Sequence, residues 1–401
     1  MLGIVLVAAS VAPAAPVVSP DPRHLKVAPA DMARAKVLVD KLGSPAYEER
    51  ETAQVELVEM GRRAATALAD GLAGHASPEV RSRCQTLYAR ARADDLQARL
   101  DTFAADAAGK FEHDIPGWPL FHATTAGTGA AARAVFVDVV SNPLGRELVL
   151  GDLPPAVLGA RVAARKQELY TRRFAARRPN DPPAEPPVAE VVALMYAETR
   201  VPSQHLPRSS TGTTVFSFPS FVAALSAGGE QARVYRAVAG KWVSTRDEAM
   251  LMTQALSVAT TLELPEAANL GARMLGTQGV TGISKAQAAM AVAKVGDPRH
   301  LPALESAFAD ETVVRNVGGV VVIGGPAPVR AGDIRVRDVA LVAALLMTGQ
   351  DPKEYGFDEV SGRRDTRYLY TAWQIPADKR AAAATQWREW RQANPNFGRE
   401  Q

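Results

Sequence analysis

The stretch SKAQAAMAVAKVGDPRHLPALESAFA, Ser284 to Ala309, decides the fold. Its first part, Ser284 to Val295, reads as a helix. Gly296-Asp297-Pro298 interrupts it, and Leu301 to Ala309 reads as a second helix. So short a turn makes the two helices antiparallel layers of one unit of a helical array. A Gly-rich excursion follows, and then a third helix from about Arg335 to Leu346.

The chain makes the same gesture near its start. Ala35, Leu38, Val39 and Leu42 fall at i, i+3, i+4 and i+7, so Met32 to Leu42 predicts a helix that Gly43-Ser44-Pro45 stops. Ser44 can cap the next helix, Tyr47 to Met60, which buries Ala53, Leu57 and Met60 and leaves Glu48, Glu49, Arg50 and Glu51 in water. Gly61 ends it, and its partner buries Ala64, Leu68 and Leu72. Ser77-Pro78-Glu79 then supplies an N-cap, a Pro in the first turn and an acidic helix start. Cys84 lies on the stripe Val80, Cys84, Leu87, Ala91 and reads as a small core hydrophobe, not a nucleophile.

The segment Glu51–Leu72 aligns with Lys285–Phe308. In each, a helix ends at a Gly, and apolar positions return seven or eight and then eleven or twelve residues later. That is a repeat signature. EERETAQVELVEMGRRAATALADGL (residues 48–72), followed by SPEVRSR, resembles the HEAT-repeat family. The likeness covers Ala46 to Arg92 and, less closely, Glu248 to Leu346. IPGWPLFHATTAGTGAAARAVFVDVV, LYTRRF, VRDVALVAALLMTGQDPKEYGF and KRAAAATQWREWR are similar to exported HEAT-repeat proteins of planctomycete bacteria. The resemblance implies an all-α solenoid of paired antiparallel helices and a binding or scaffolding role. It carries over no catalytic residue.

The bulk numbers agree with a helical reading. Of 401 residues 47% are apolar, aromatics are scarce, and the net charge of +3 is too near balance to point to nucleic acid. One Cys excludes an intramolecular disulfide and any multi-Cys metal site. Leu2 to Ala15 has the length of a signal-peptide core and ends in a small-x-small pattern, so export is expected, to the periplasm or beyond. No other stretch is long and apolar enough to span a bilayer.

The expected organisation is a signal-like segment at 1–15, a Pro-rich leader at 16–31 and N-terminal repeats at 32–110. A helical middle at 111–178 and a Pro-rich connector at 179–187 follow. C-terminal repeats at 188–350 carry a Gly-rich insert at 316–334, read as a short hairpin with Val320 to Ile323 as one strand. A tail at 351–401 ends in a helix, Ala377 to Ala393, whose Trp387 and Trp390 seal the array. Within the middle and C-terminal parts, helices are expected at Arg133–Val140, Ala156–Ala176, Val188–Thr199, Phe216–Ala227 and Trp242–Leu264. Ser203 to Ser217 reads as a polar surface loop.

Candidate chemistry is sparse. Gly127-Thr128-Gly129-Ala130-Ala131-Ala132 has dinucleotide-loop spacing, but no buried strand precedes it. Gly318-Gly319 to Gly324-Gly325 lacks the Lys and hydroxyl of a phosphate loop. Ser209 and Ser210 have no nucleophile elbow or His partner. His300 reads as a polar residue at a helix start. His113, Asp114 and His122, with Glu112 and Asp106 nearby, form the densest His/carboxylate cluster, a candidate metal or enzymatic site that lacks a third His.

The helix around Arg161, Arg165, Lys166, Arg172, Arg173, Arg177 and Arg178 carries seven cations against Glu168 alone, with Tyr170 and Phe174 on it. It is a candidate surface for an anionic partner, or a solvated face. No cofactor is expected. The function expected from the sequence is an exported, non-catalytic interaction or scaffold protein with a protein partner. Its alternatives are an enzyme or metal-binding protein at the His cluster and an anionic-surface binder at the basic helix.

Overall fold

A computed structural model describes residues 18–125, 129–174, 185–208, 211–314, 334–360 and 367–398. The signal-like segment 1–15, the pair Gly127-Thr128, Arg177, Arg178, most of the connector, Ser209, Ser210 and the Val320–Ile323 strand lie outside the described residues. The described chain is all-α apart from two short antiparallel ribbons. It falls into two compact units divided between Pro119 and Leu120, a boundary the sequence reading placed at 110/111. The second unit runs on through the connector expected at 179–187.

The first unit contains α1 (Pro29–Lys41), α2 (Tyr47–Met60), α3 (Ala65–Gly74) and α4 (Pro78–Ala105). One core takes Leu38 and Val39 from α1, Ala53 and Leu57 from α2, Leu68 from α3, and Val80, Cys84 and Leu87 from α4. Burial pushes the Cys84 thiol pKa up, which keeps it protonated and inert. Ser77 Oγ accepts the Val80 N–H, so the Ser-Pro-Glu start works as a cap. Ser44 Oγ accepts the Ala46 N–H at 3.2 Å and donates to Glu49, fastening the first turn of α2.

The two helix-ending glycines equated in the sequence do different work. Gly61 has φ 51°, which a side chain would strain. Gly296 is extended at φ −77°, and a Cβ there would meet the Val292 carbonyl oxygen at 2.3 Å. The first is a conformational need and the second a steric one.

The division between the units falls within α5 (Trp118–Thr124). Beyond it come α6 (Gly129–Ser141), α7 (Pro143–Leu150), α8 (Pro155–Phe174) and α9 (Val188–Thr199). Asn142 accepts the Leu144 and Gly145 N–H groups, so Asn142-Pro143 starts α7 directly after α6. α9 packs against α6, α7 and α8, and is buried from Glu190 to Glu198.

Then follow α10 (Pro219–Ser226), α11 (Gly229–Ser244), α12 (Ala249–Thr261) and α13 (Glu266–Gly276). The single helix expected over Trp242–Leu264 is therefore two, broken at residues 245–248. The expected surface loop Ser203–Ser217 is also corrected. It contains 3-10 turns at Ser203–His205 and Thr211–Ser217, and Val215 and Phe216 are fully buried. Leu206, Val215 and Phe216, buried among hydroxyls, anchor it.

The stretch that decided the reading forms α14 (Gly282–Val295) and α15 (Leu301–Ser306), with a 3-10 turn at Ala307–Ala309. β1 (Val313–Val314) pairs with β2 (Ile334–Arg335) at the base of the Gly-rich insert and leads into α16 (Val336–Met347). β3 (Asp358–Glu359) pairs with β4 (Trp373–Gln374), and α17 (Arg380–Ala393) closes the described chain. On α17, Ala383 and Trp387 are buried, and Trp387 meets Phe308 edge-on at 5.8 Å. Arg380 Nε reaches both Asp338 oxygens at 3.1 Å, tying α17 to α16.

Candidate functional site

Within the first unit, His113 pairs with Asp106 and Asp114 with Arg99. His113 Nε2 lies 3.1 Å from Asp106 Oδ2, with both side chains buried. Asp106 ends α4, and its carboxylate also accepts the Lys110 and Phe111 N–H groups at 2.9 and 3.0 Å. Phe103 meets His113 and Trp118 edge-on at 5.3 and 4.9 Å. This is a loop-fastening knot. Asp114 projects into solvent and takes an Arg99 contact at 3.2 Å, and His122 sits on α5. Among the described residues no three of His, Cys, Asp and Glu are gathered as metal ligands. His300 is likewise built into a turn, with Nε2 2.9 Å from Asn269 Oδ1 and Nδ1 beside the Asp297 N–H at 3.2 Å.

The basic helix is α8, and its described cations are paired with acids, most of them from neighbouring segments. Arg161 lies 3.4 Å from Glu147 of α7. Arg165 meets Glu168 and, at 2.6 Å, Glu190 of α9. Arg172 binds Glu168 at 2.6 Å, and Arg173 binds Glu185 at 2.5 Å while stacking over Phe218. Lys166 is buried and salt-bridged to Glu198 of α9. Four of these acids, Glu147, Glu185, Glu190 and Glu198, lie outside α8 in the sequence, so the local count of seven cations to one acid misstated the charge. Arg177 and Arg178 lie outside the described residues.

The partner of Lys166 belongs to a buried polar group. The side chains of Lys166, Glu198 and Arg246 are 4%, 3% and 2% exposed. Trp242 Nε1 donates to Glu198 Oε2 at 2.6 Å. Arg246, in the break between α11 and α12, donates to the Glu198 carbonyl at 2.9 Å and the Trp242 carbonyl at 3.2 Å. Arg273 Nη2 donates to the Arg246 carbonyl at 2.9 Å, bringing in α13. Burial pushes the Arg246 guanidinium pKa down, against the pull of Glu198 and Asp247. A cavity of about 10 Å³ adjoins the node, lined by Lys166, Glu198, Thr213, Trp242, Arg246 and Gln254 among others.

Glu198, Trp242 and Arg246 did not stand out in the sequence. One signal was present: Glu190 and Glu198 are the two acids in VAEVVALMYAET, a helix otherwise apolar or small on every side. A carboxylate on such a helix must meet a cation or a donor. A larger cleft, about 320 Å³, lies between α16 and α17, with Phe308, Leu341, Phe357 and Ile375 opposite Arg337, Asp338 and Arg380. Comparison with protein-family models, with curated proteins and with solved structures finds no match. No described helix is long and apolar enough to cross a membrane.

Proposed function

We propose that this chain is an exported α-solenoid of the HEAT type, acting as a non-catalytic interaction or scaffold protein for another protein. The observation that carries the reading is the order of packing in the second unit. There α11 packs on α12 and α13, α12 on α13 and α14, α13 on α14 and α15, and α14 on α16. In this run each helix packs on one or two of those that follow it, as expected of a stacked array built from neighbour contacts. The repeat spacing of Glu51–Leu72 and Lys285–Phe308 supports it, and Leu2–Ala15 supports export.

Apolar side chains on the outer sides of the paired helices are candidate contacts: Val37 on α1, Val55 on α2 and Met250 on α12 are 55%, 56% and 47% exposed. The test is capture of partners from an envelope fraction by the chain from Ala15 onward, at low and moderate salt. A discrete protein that survives moderate salt, and is lost with Val55→Glu or Met250→Glu at unchanged melting temperature, is the expected result. Capture that vanishes with salt, or persists through every such variant, overturns the reading.

A further inference from the structure

The geometry points to a binding site for one small monovalent anion of halide size at the Lys166–Glu198–Arg246 node. Two buried cations face one buried carboxylate there. Asp247, next in the chain, is exposed and bonded to Ser203, so it acts on Arg246 from the solvent side. The node is left with one positive charge in excess, and an unmatched buried charge is among the costliest features a fold can carry.

The donors needed to hold an anion are in place. An ammonium has three N–H groups; among the described residues Lys166 Nζ hydrogen-bonds Glu198, and otherwise faces the Phe216 ring at 5.0 Å. Arg246 uses Nε and Nη2 on carbonyls and on Thr245, whereas its Nη1 stands 3.9 Å from Glu198 Oε2, beyond hydrogen-bond reach. Both cations line the cavity of about 10 Å³. That volume accommodates roughly one water-sized occupant. Sulfate, phosphate and carboxylate ligands are too large for it. Water would satisfy the donors and leave the charge; a halide satisfies both.

An anion seated there would bridge α8 to the α11–α12 break across Glu198 of α9. The stability of the second unit then depends on halide concentration. This inference is independent of the scaffold reading.

Thermal unfolding of the whole chain at fixed ionic strength tests it, exchanging chloride for gluconate. The expected result is a saturable rise of roughly 3–6 °C between low-millimolar and several hundred millimolar chloride. Lys166→Met removes the excess charge and is expected to abolish the rise. Crystals soaked in bromide supply a readout that needs no variant: an anomalous peak within contact of Lys166 Nζ and Arg246 Nη1 is expected. Equal melting temperatures in both salts, or the absence of that peak at high bromide, assign the cavity to water and overturn the proposal.

Discussion

The pairing of α13 with α14 and the pairing of α8 with α9 bring helices together by opposite means. At the first, Gly271 lets the backbones close: a Cβ there would lie 2.8 Å from the Ala288 carbonyl oxygen and 2.9 Å from Val292 Cγ2. The first unit repeats this solution where α3 meets α1 and α4, since a Cβ at Gly71 would lie 2.7 Å from Val39 Cγ1 and 2.9 Å from Cys84 Sγ. At the second, Arg165 and Lys166 reach across to Glu190 and Glu198. Small-residue contacts gain from dispersion and the removal of apolar surface from water, with no desolvated charge to compensate. Charged contacts fix one register and are costly when either partner is lost. The difference is between packing that tolerates little added volume and packing that tolerates no lost charge.

The sharpest way to break this comparison is Glu198→Gln. It leaves Lys166 and Arg246 buried without their carboxylate and should cost about 3–5 kcal/mol in urea unfolding. A loss under ~1 kcal/mol would show the node to be well hydrated. Next, Gly271→Ala should cost about 1–3 kcal/mol through overpacking. Gly276→Ala, at the end of the same helix with nothing within 4 Å of the added carbon, should gain about 0.5 kcal/mol. If both variants behave alike, close approach is not what Gly271 provides.

The pair Lys285–Asp310, at 2.7 Å and about a fifth exposed, sharpens the comparison by diluting the charge with solvent. Burial alone would raise the Asp310 pKa, but hydrogen bonds from Lys285 and Thr312 outweigh it and hold it below 3.8. A depressed folded pKa stabilises above the unfolded value and is lost as pH falls through the folded one. Asp310→Asn should therefore cost about 1 kcal/mol at pH 7, and the difference from wild type should begin to shrink below pH ~3.8 and disappear only below the depressed folded pKa. The smallest effect is expected at Tyr196. Burial pushes its pKa up to about 12, and its hydroxyl has no hydrogen-bond partner among the described residues. Tyr196→Phe should be neutral or stabilise by up to ~1 kcal/mol.

Legibility followed the range of the forces. Tyr47–Met60 and Val188–Thr199 were readable to the residue, because helix ends depend on Gly, Pro and capping groups within one turn. The break between α11 and α12 was missed, since no Gly or Pro marks residues 245–248. What holds that break is Arg246, bonded to carbonyls of Trp242 and Glu198. The partner of His113 was hidden for a similar reason. Asp106, read as a bystander, takes up the imidazole and two backbone N–H groups at once.

By itself the sequence determined the helical class, the bounds of helices such as α2 and α9 and the burial of stripes such as Val80–Cys84–Leu87–Ala91, because periodicity and local stop signals act over a few residues. The tertiary structure decided which charges are buried. Lys166 and Arg172 are both cations of one helix, yet the first is sealed against Glu198 and the second lies on the surface with Glu168. A side chain's electrostatic fate depends on what a distant segment brings to it. Lys166 and Glu198 are separated by 32 positions along the chain, and composition carries no record of their meeting.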